Sequence, residues 1–570
     1  MPCSAKHQRA RLVAQLTGAL LVVAVLGAPA IVAAAPATPI ASPTTGGTPV
    51  AGGTLPWWRD AVCYEVFVRS FSDSDGDGTG DLPGLIEQLD YLNDGDPSSG
   101  NDLGVSCIWL MPIMESTSYH GYDVTDFYAI ERDYGTNDDF RHLMDEAHGR
   151  GIRVIIDLVL NHTSVEHPWF QQAVSDPASP YRDWYIFEPE DPGYPGPWGA
   201  QAWHPAPDGG AFYYGVFWSG MPDLNYRNPA VTTEMEKVTA FWLTEMGVDG
   251  FRFDAIKHLI EEGRVQESTP ATLAWIADYS AFVRAEKPEA YMVGEVAGAG
   301  TDALSLYYPG LLDAYFHFEL AQQTVNAANF GIPRQLAGVA KGTEDRIPDQ
   351  RFATFLTNHD QPRIATQLGG AAADLRLAAM LLLTMPGTPF IYYGEEIGMA
   401  GDKPDERIRT PMQWSPGPGG GFTTGRPWES PQDDWQTRTV AAQPTDPASL
   451  LAWYRTLIHA RAAHPALGHG DFTAVASSDP NVFAFLRTTP AEQVLVLINL
   501  GSEPAVGLSL TAPVGAIAAG AYGARDALGG PQAGQIRVDA TDTAVFTLPM
   551  YFDELPAKSG LVLALTPSTP

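Results

Sequence analysis

Apolar positions along this chain follow two alternating rhythms. From Trp57 onward, nearly continuous apolar runs cover Val62–Val68, Val105–Met111, Ile152–Leu158, Val248–Asp254, Tyr291–Glu295, Phe352–Thr357 and Phe390–Tyr393. Between them lie stretches with helical spacing, such as Asp138–Arg150 and Thr232–Met246. Runs without a polar face predict strands covered on both sides, as in a parallel sheet flanked by helices. One more strand is placed near residues 312–318, where the pattern is faintest. Strand–helix units repeated over several hundred residues predict an α/β chain folded as a (β/α)8 barrel.

Two intervals break the rhythm. From Asn161 to Met221 the chain is rich in Pro, Gly and Trp and has no clear strand–helix unit. That is too long for a simple connection, so an inserted subdomain is expected after the third strand. After about residue 468, Val482–Arg487 and Val494–Asn499 alternate like antiparallel strands, which predicts a C-terminal β-sandwich. The expected organisation is barrel over 57–162, insertion over 163–221, barrel again over 222–467 and β-domain over 468–570.

The N-terminus reads differently. Lys6, Arg9 and Arg11 precede an apolar run from Leu12 to Ala35, with small residues around Ala28–Ala37. This is the pattern of a cleaved export signal over 1–35, so a secreted, extracellular protein is expected, without stable membrane association once the signal is removed. An uncleaved anchor is the alternative, but the run is Ala-rich and short for a span. Residues 36–56, rich in Pro, Thr and Gly, read as a flexible leader. Cys63 and Cys107 lie in apolar strand runs and read as buried thiols; nothing in the pattern requires a disulfide.

Composition narrows the partners. In 570 residues, Asp and Glu number 67 against 34 Lys and Arg, a formal net charge of −33. Such a chain repels nucleic acid, since phosphate binding needs clustered cations, whereas a neutral polysaccharide is compatible with it. A monomer is expected.

Polar clusters end four of the apolar runs: Asp157 with Asn161 and His162, Arg252 with Asp254, Glu295, and Asn358 with His359 and Asp360. A single Asp after a strand is commonly a helix cap. Four clusters at the C-terminal ends of barrel strands point instead to an active site. Retaining hydrolysis of a glycosidic bond needs one ionised carboxylate and one proton-carrying carboxyl. Arg252, two residues before Asp254, projects to the same side of a strand and suits the ionised role of Asp254. Glu295 ends an apolar strand, where burial suits an acid. Asp360 and the two histidines are placed to bind sugar hydroxyls.

Asp157-Leu-Val-Leu-Asn161-His162, Gly250-Phe-Arg-Phe-Asp254-Ala-Ile-Lys257-His258, Gly294-Glu295-Val296 and Phe355-Leu-Thr-Asn358-His359-Asp360 resemble, in order and spacing, the four signature regions of the α-amylase family, glycoside hydrolase family 13. The resemblance implies Asp254 as nucleophile, Glu295 as general acid/base and Asp360 as transition-state stabiliser. It implies substrate contacts from Tyr122, Asp157, His162, Arg252, Lys257, His258 and His359. Met221-Pro-Asp-Leu-Asn225 resembles the marker of a group intermediate between oligo-1,6-glucosidases and neopullulanases. Arg409-Thr-Pro-Met-Gln-Trp414 resembles the oligo-1,6-glucosidase and trehalose synthase side. Lys257-His258, and His120 before Gly121-Tyr122, favour an endo-acting α-amylase on α-1,4-glucans. The alternatives are an exo-acting α-glucosidase or oligo-1,6-glucosidase, a trehalose synthase-like transglycosylase, or a non-catalytic carbohydrate-binding barrel. Retention of all three carboxylates argues against the last.

Asp73-Ser-Asp75-Gly-Asp77-Gly-Thr79-Gly-Asp81 places oxygen donors at alternate positions, which suits a structural Ca2+ held by Asp73, Asp75, Asp77, the Thr79 carbonyl and Asp81. Gly84 stands where a full helix–loop–helix site has its bidentate Glu, as expected of a barrel loop. Trp169, Trp184, Trp198, Trp203 and Trp218 of the insertion have rings suited to sugar stacking, but most are expected in the core of that subdomain.

Overall fold

The computed structural model describes residues 55–207, 209–530, 532–540, 543–547 and 554–568. The expected export signal (1–35) and all but the last two residues of the leader (36–56) lie outside them.

Eight parallel strands form the central ring: β1 (Cys63–Val66), β2 (Cys107–Leu110), β3 (Arg153–Leu158), β4 (Gly250–Phe253), β5 (Tyr291–Gly294), β6 (Ala314–Tyr315), β7 (Ala353–Phe355) and β8 (Thr388–Tyr392). Each pairs with the next in sequence, β8 pairs with β1, and a parallel bridge between Phe316 and Ala353 links the ends of β6 and β7. The faint strand expected near 312–318 is β6, only two residues long. At Gly250 the neighbouring strand comes so close that a Cβ would lie 2.0 Å from the Tyr291 carbonyl oxygen. Glycine there lets β4 and β5 pair.

Strand parity sorts the side chains into two layers. One set, including Cys63, Cys107, Trp109, Ile155, Tyr291, Val293, Phe355 and Phe390, fills the lumen of the ring. The other, including Tyr64, Val66, Ile108, Leu110, Val154 and Ile156, meets the surrounding helices. The helix expected over Asp138–Arg150 is α1 (Asn137–Gly149). A capping box between Thr136 and Asp139 starts it, and Phe140, Leu143, Met144 and Ala147 form its buried stripe. The expected Thr232–Met246 helix is α2 (Pro229–Ala240), capped by Asn228 and continued by a π turn over Phe241–Glu245.

The insertion after β3 carries a short helix, Pro168–Ser175, and a three-stranded sheet of Phe187–Glu188, Phe212–Tyr214 and Trp203–Pro205. Ala202, Trp203, Tyr214 and Val216 form its small core. The C-terminal domain is antiparallel, as expected. Among the described residues, its strands from Asp471 to Pro567 close into one antiparallel ring around Leu495, Leu497, Ile536 and Leu563.

One expectation is corrected. Cys63 and Cys107 are fully buried but not free thiols: they form a disulfide. Parallel pairing of β1 and β2 puts the two residues in register, with Cα atoms 4.3 Å apart and both side chains in the lumen. Sequence spacing does not reveal a cross-strand register.

Candidate active site

The lumen-facing parity that places Cys63, Ile155 and Val293 inside continues to the upper rim as Glu65 on β1, Asp157 on β3, Arg252 on β4 with Asp254 just after it, and Glu295 after β5. The polar clusters expected at strand ends therefore converge by geometry on one mouth.

Arg252, 1% exposed, organises them. Its Nη1 donates to both Asp157 carboxylate oxygens at 2.8 Å and to Asp254 Oδ1 at 2.7 Å, and its Nη2 donates to Glu295 Oε2 at 2.6 Å. Ala255 follows with φ +46°, a left-handed conformation that costs a non-glycine residue about 1–3 kcal/mol. In that conformation its N–H donates to Glu295 Oε2 at 3.2 Å. Burial pushes the Asp157, Asp254 and Glu295 carboxyls up, and the shared guanidinium opposes the shift at each. One cation divided among three acids is the reason it does not fully compensate.

Asp360, past β7, lies opposite. Burial pushes its carboxyl up, but His359, Arg409 and Arg252 together outweigh it and hold it low. Arg409 Nη2 donates to Asp360 Oδ1 at 2.9 Å and to Asp405 Oδ2 at 3.3 Å. Tyr122 stacks on His359 with ring centroids 5.6 Å apart.

A cavity of about 300 Å³ opens over these groups. Asp254, Glu295, Asp360, Tyr122, His162, Lys257 and His258 line it. Asp157, Arg252 and His359 do not. These three, also expected among the sugar contacts, are buried beside the cavity and bonded to neighbouring side chains. Burial pushes the lining histidines His162 and His258 down to about 3 and about 4, so both are neutral.

Comparisons with known proteins decide the family. The model of the α-amylase catalytic domain matches residues 65–470. The chain belongs to the α-amylase family, glycoside hydrolase family 13. Alpha-amylase 3 of Dictyoglomus thermophilum is 40% identical over 459 residues, covering 80% of this chain and 87% of the relative. A trehalose synthase/amylase of Mycobacterium tuberculosis is 36% identical over 508 residues, covering 79% and 82%. The crystal structure of the α-amylase from H. orenii superposes with a TM-score of 0.76 at 40% identity, covering 89% of this chain and 99% of that one. This family 13 chain is thus a glycoside hydrolase acting on α-glucans.

Four lining or supporting groups of this family 13 site were not assigned to it from the sequence. Trp198 and Phe217 of the insertion line the cavity, with ring centroids 5.3 Å apart, and Trp198 stays 56% exposed. No local pattern separates them from the insertion's other aromatics. Arg409 lies in a stretch read for specificity, not for its contact with Asp360. Glu65 was legible as a carboxylate inside an apolar strand run, a placement that demands a partner.

The acidic loop is partly as expected. Asp73, Asp75 and Asp81 each present a carboxylate oxygen within 4.8 Å of the others. Asp77 is not in that group; it is exposed, and its Oδ1 accepts from the Thr79 N–H at 2.7 Å. Asp73 is braced by N–H donors from Asp75, Gly76 and Gly78. Gly84 leaves no room for a side-chain ligand, because a Cβ there would lie 2.2 Å from the Ser72 carbonyl oxygen. Asp81 Oδ1 caps the following helix through the Gly84 N–H.

Proposed function

We propose that this family 13 hydrolase is an endo-acting α-amylase that cleaves α-1,4-glucosidic bonds in starch and maltooligosaccharides with retention. The observation that carries the reading is the single guanidinium shared by Asp254 and Glu295. It keeps the two carboxyls close, which suits the about 5–5.5 Å spacing of a retaining pair. Asp254 attacks the anomeric carbon while Glu295 gives its proton to the departing glycosidic oxygen. A water then attacks the resulting ester, returns its proton to Glu295 and frees Asp254. Buried Glu295 suits the acid role because its raised pKa retains the proton. Asp360, held ionised by its cationic neighbours, faces the positive charge that develops on the sugar ring.

Endo action is supported by the wall of Lys257, His258, Trp198 and Phe217, which offers ring faces to further sugars on the leaving-group side. A second reading, exo action or transglycosylation, is favoured by Arg409, whose pairs with Asp360 and Asp405 narrow the other end. The test is a product time course from soluble starch and from maltose. Mixed maltooligosaccharides with an early viscosity drop support endo action. Glucose or trehalose from maltose, with starch barely cut, overturns it. Asp254→Asn is expected to abolish hydrolysis; a fully active variant refutes the assignment of the nucleophile.

Asp73, Asp75 and Asp81 form a hard oxygen donor set that fits Ca2+, and we assign it a structural role tying the loop after β1 to the helix that Asp81 caps. Secretion is proposed from the basic and apolar pattern of residues 1–35.

A further inference from the structure

Glu65 is a lumen-facing carboxylate of the rim that Arg252 does not hydrogen-bond. It lies on β1, is 1% exposed, and its Oε1 meets His359 Nδ1 at 2.5 Å. On the other side of the ring, His359 Nε2 is 2.7 Å from the Tyr122 hydroxyl and 3.4 Å from Asp360 Oδ2. Tyr122 has one proton, and Asp157 Oδ2, 3.1 Å from the hydroxyl, can accept it. With that proton on Asp157, the tyrosine oxygen accepts at Nε2 and the Glu65 carboxylate accepts at Nδ1. In this arrangement both ring nitrogens carry protons and His359 is an imidazolium.

We infer that Glu65 is a positioning residue that holds His359 as a buried cation beneath Asp360 and Tyr122. A lone imidazolium at 1% exposure is unfavourable without a counter-charge. Glu65 supplies it from behind, leaving Nε2–H aimed at the cavity-lining pair. The cation then fixes the Tyr122 ring by stacking and hydrogen bonding, and keeps Asp360 ionised toward the sugar. The charged groups around His359 from the packed elements are Glu65 on β1, Asp157 on β3, Asp360 beside it, and Arg409, whose Nε donates to the His359 carbonyl at 2.9 Å; Arg252 on β4 reaches the Tyr122 hydroxyl between them. Glu65 and Asp360 favour the charged ring, while burial and Arg409 oppose it; the net shift is upward.

The inference rests on the catalytic reading of Asp254, Glu295 and Asp360, and the experiment separates the two. Asp254→Asn, Glu65→Gln and Glu65→Asp are compared with the unaltered enzyme for kcat, KM and pH profile on a maltooligosaccharide. Glu65→Gln keeps the shape but removes the counter-charge. Its kcat is expected to fall at least tenfold with KM within about threefold, and its alkaline limb to move to lower pH as His359 loses its proton sooner. Glu65→Asp is expected to restore part of kcat and return the limb toward its original position. An unshifted limb in Glu65→Gln, or equal losses in both variants, overturns the inference and leaves Glu65 a packing residue. An active Asp254→Asn instead overturns the catalytic reading. Should Glu65→Gln not fold, ring-15N NMR of the unaltered enzyme at pH 7, with the His359 signal identified by its loss in His359→Asn, gives the same answer: one unprotonated ring nitrogen refutes it.

Discussion

At the scale of single residues, the site depends on how few cations serve many acids. Arg252 touches Asp157, Asp254 and Glu295, so removing any one acid redistributes its attraction over the others. The roles of the two reacting carboxyls differ by what each must do with a proton. Glu295→Gln cannot protonate a leaving group, and a sugar leaving group needs that proton. We expect kcat on maltooligosaccharides to fall about 10²–10⁴-fold. Activated aryl α-glucosides, whose leaving groups depart unaided, should lose far less in the glycosylation step. Parallel kinetics on both substrates check this, and equal losses would move the acid role away from Glu295.

At the scale of elements, the ring is fastened at β1 from both sides. Inside, the Cys63–Cys107 disulfide joins β1 to β2 across 44 residues of sequence. Replacing both cysteines by alanine is expected to lower stability by about 2–4 kcal/mol in denaturant titration, with kcat retained because the bond lies in the lumen away from the cavity lining. Outside, Tyr64 of β1 and Tyr91 donate to Glu396, at 2.8 and 2.6 Å, just after β8. Tyr454, on the helix Leu450–Ala463, donates to Glu395 at 2.7 Å.

Burial pushes the Glu395 carboxyl up to about 8. A carboxyl raised in the folded state gives stability that is complete below its unfolded value, about 4.3, and lost as pH rises toward the folded one. Thermal midpoints should therefore decline from about pH 4 to pH 8, and Glu395→Gln should flatten that decline. A variant with an unchanged slope would show that Glu395 does not carry it.

At the scale of the whole molecule, a net charge of −33 suits a neutral substrate and adds self-repulsion to the folded state. The acidic loop after β1 concentrates this strain, since Asp73, Asp75 and Asp81 face one another. A cation bound there would relieve it. Chelation with EDTA is expected to lower the thermal midpoint, calcium to restore it, and Asp73→Asn to remove the response. A midpoint indifferent to chelator would refute the calcium assignment. Among the described residues, no helix is long and apolar enough to cross a membrane.

Several features were decided by the sequence alone. Continuous apolar runs between amphipathic helices specify strands buried on both faces, and eight of them in order leave a parallel ring as the way to cover them. Asp157, Arg252, Asp254, Glu295 and Asp360 were legible because each follows or ends such a run, where strand direction puts it at the C-terminal mouth. What joins across strands was not legible. The bond between Cys63 and Cys107, the pairing of Glu65 with His359, and the entry of Trp198 and Phe217 into the cavity all depend on register and on how the insertion folds back. Local pattern states which face a side chain takes; only packing states whether that face meets substrate or another residue, because contact depends on distances that sequence separation does not encode.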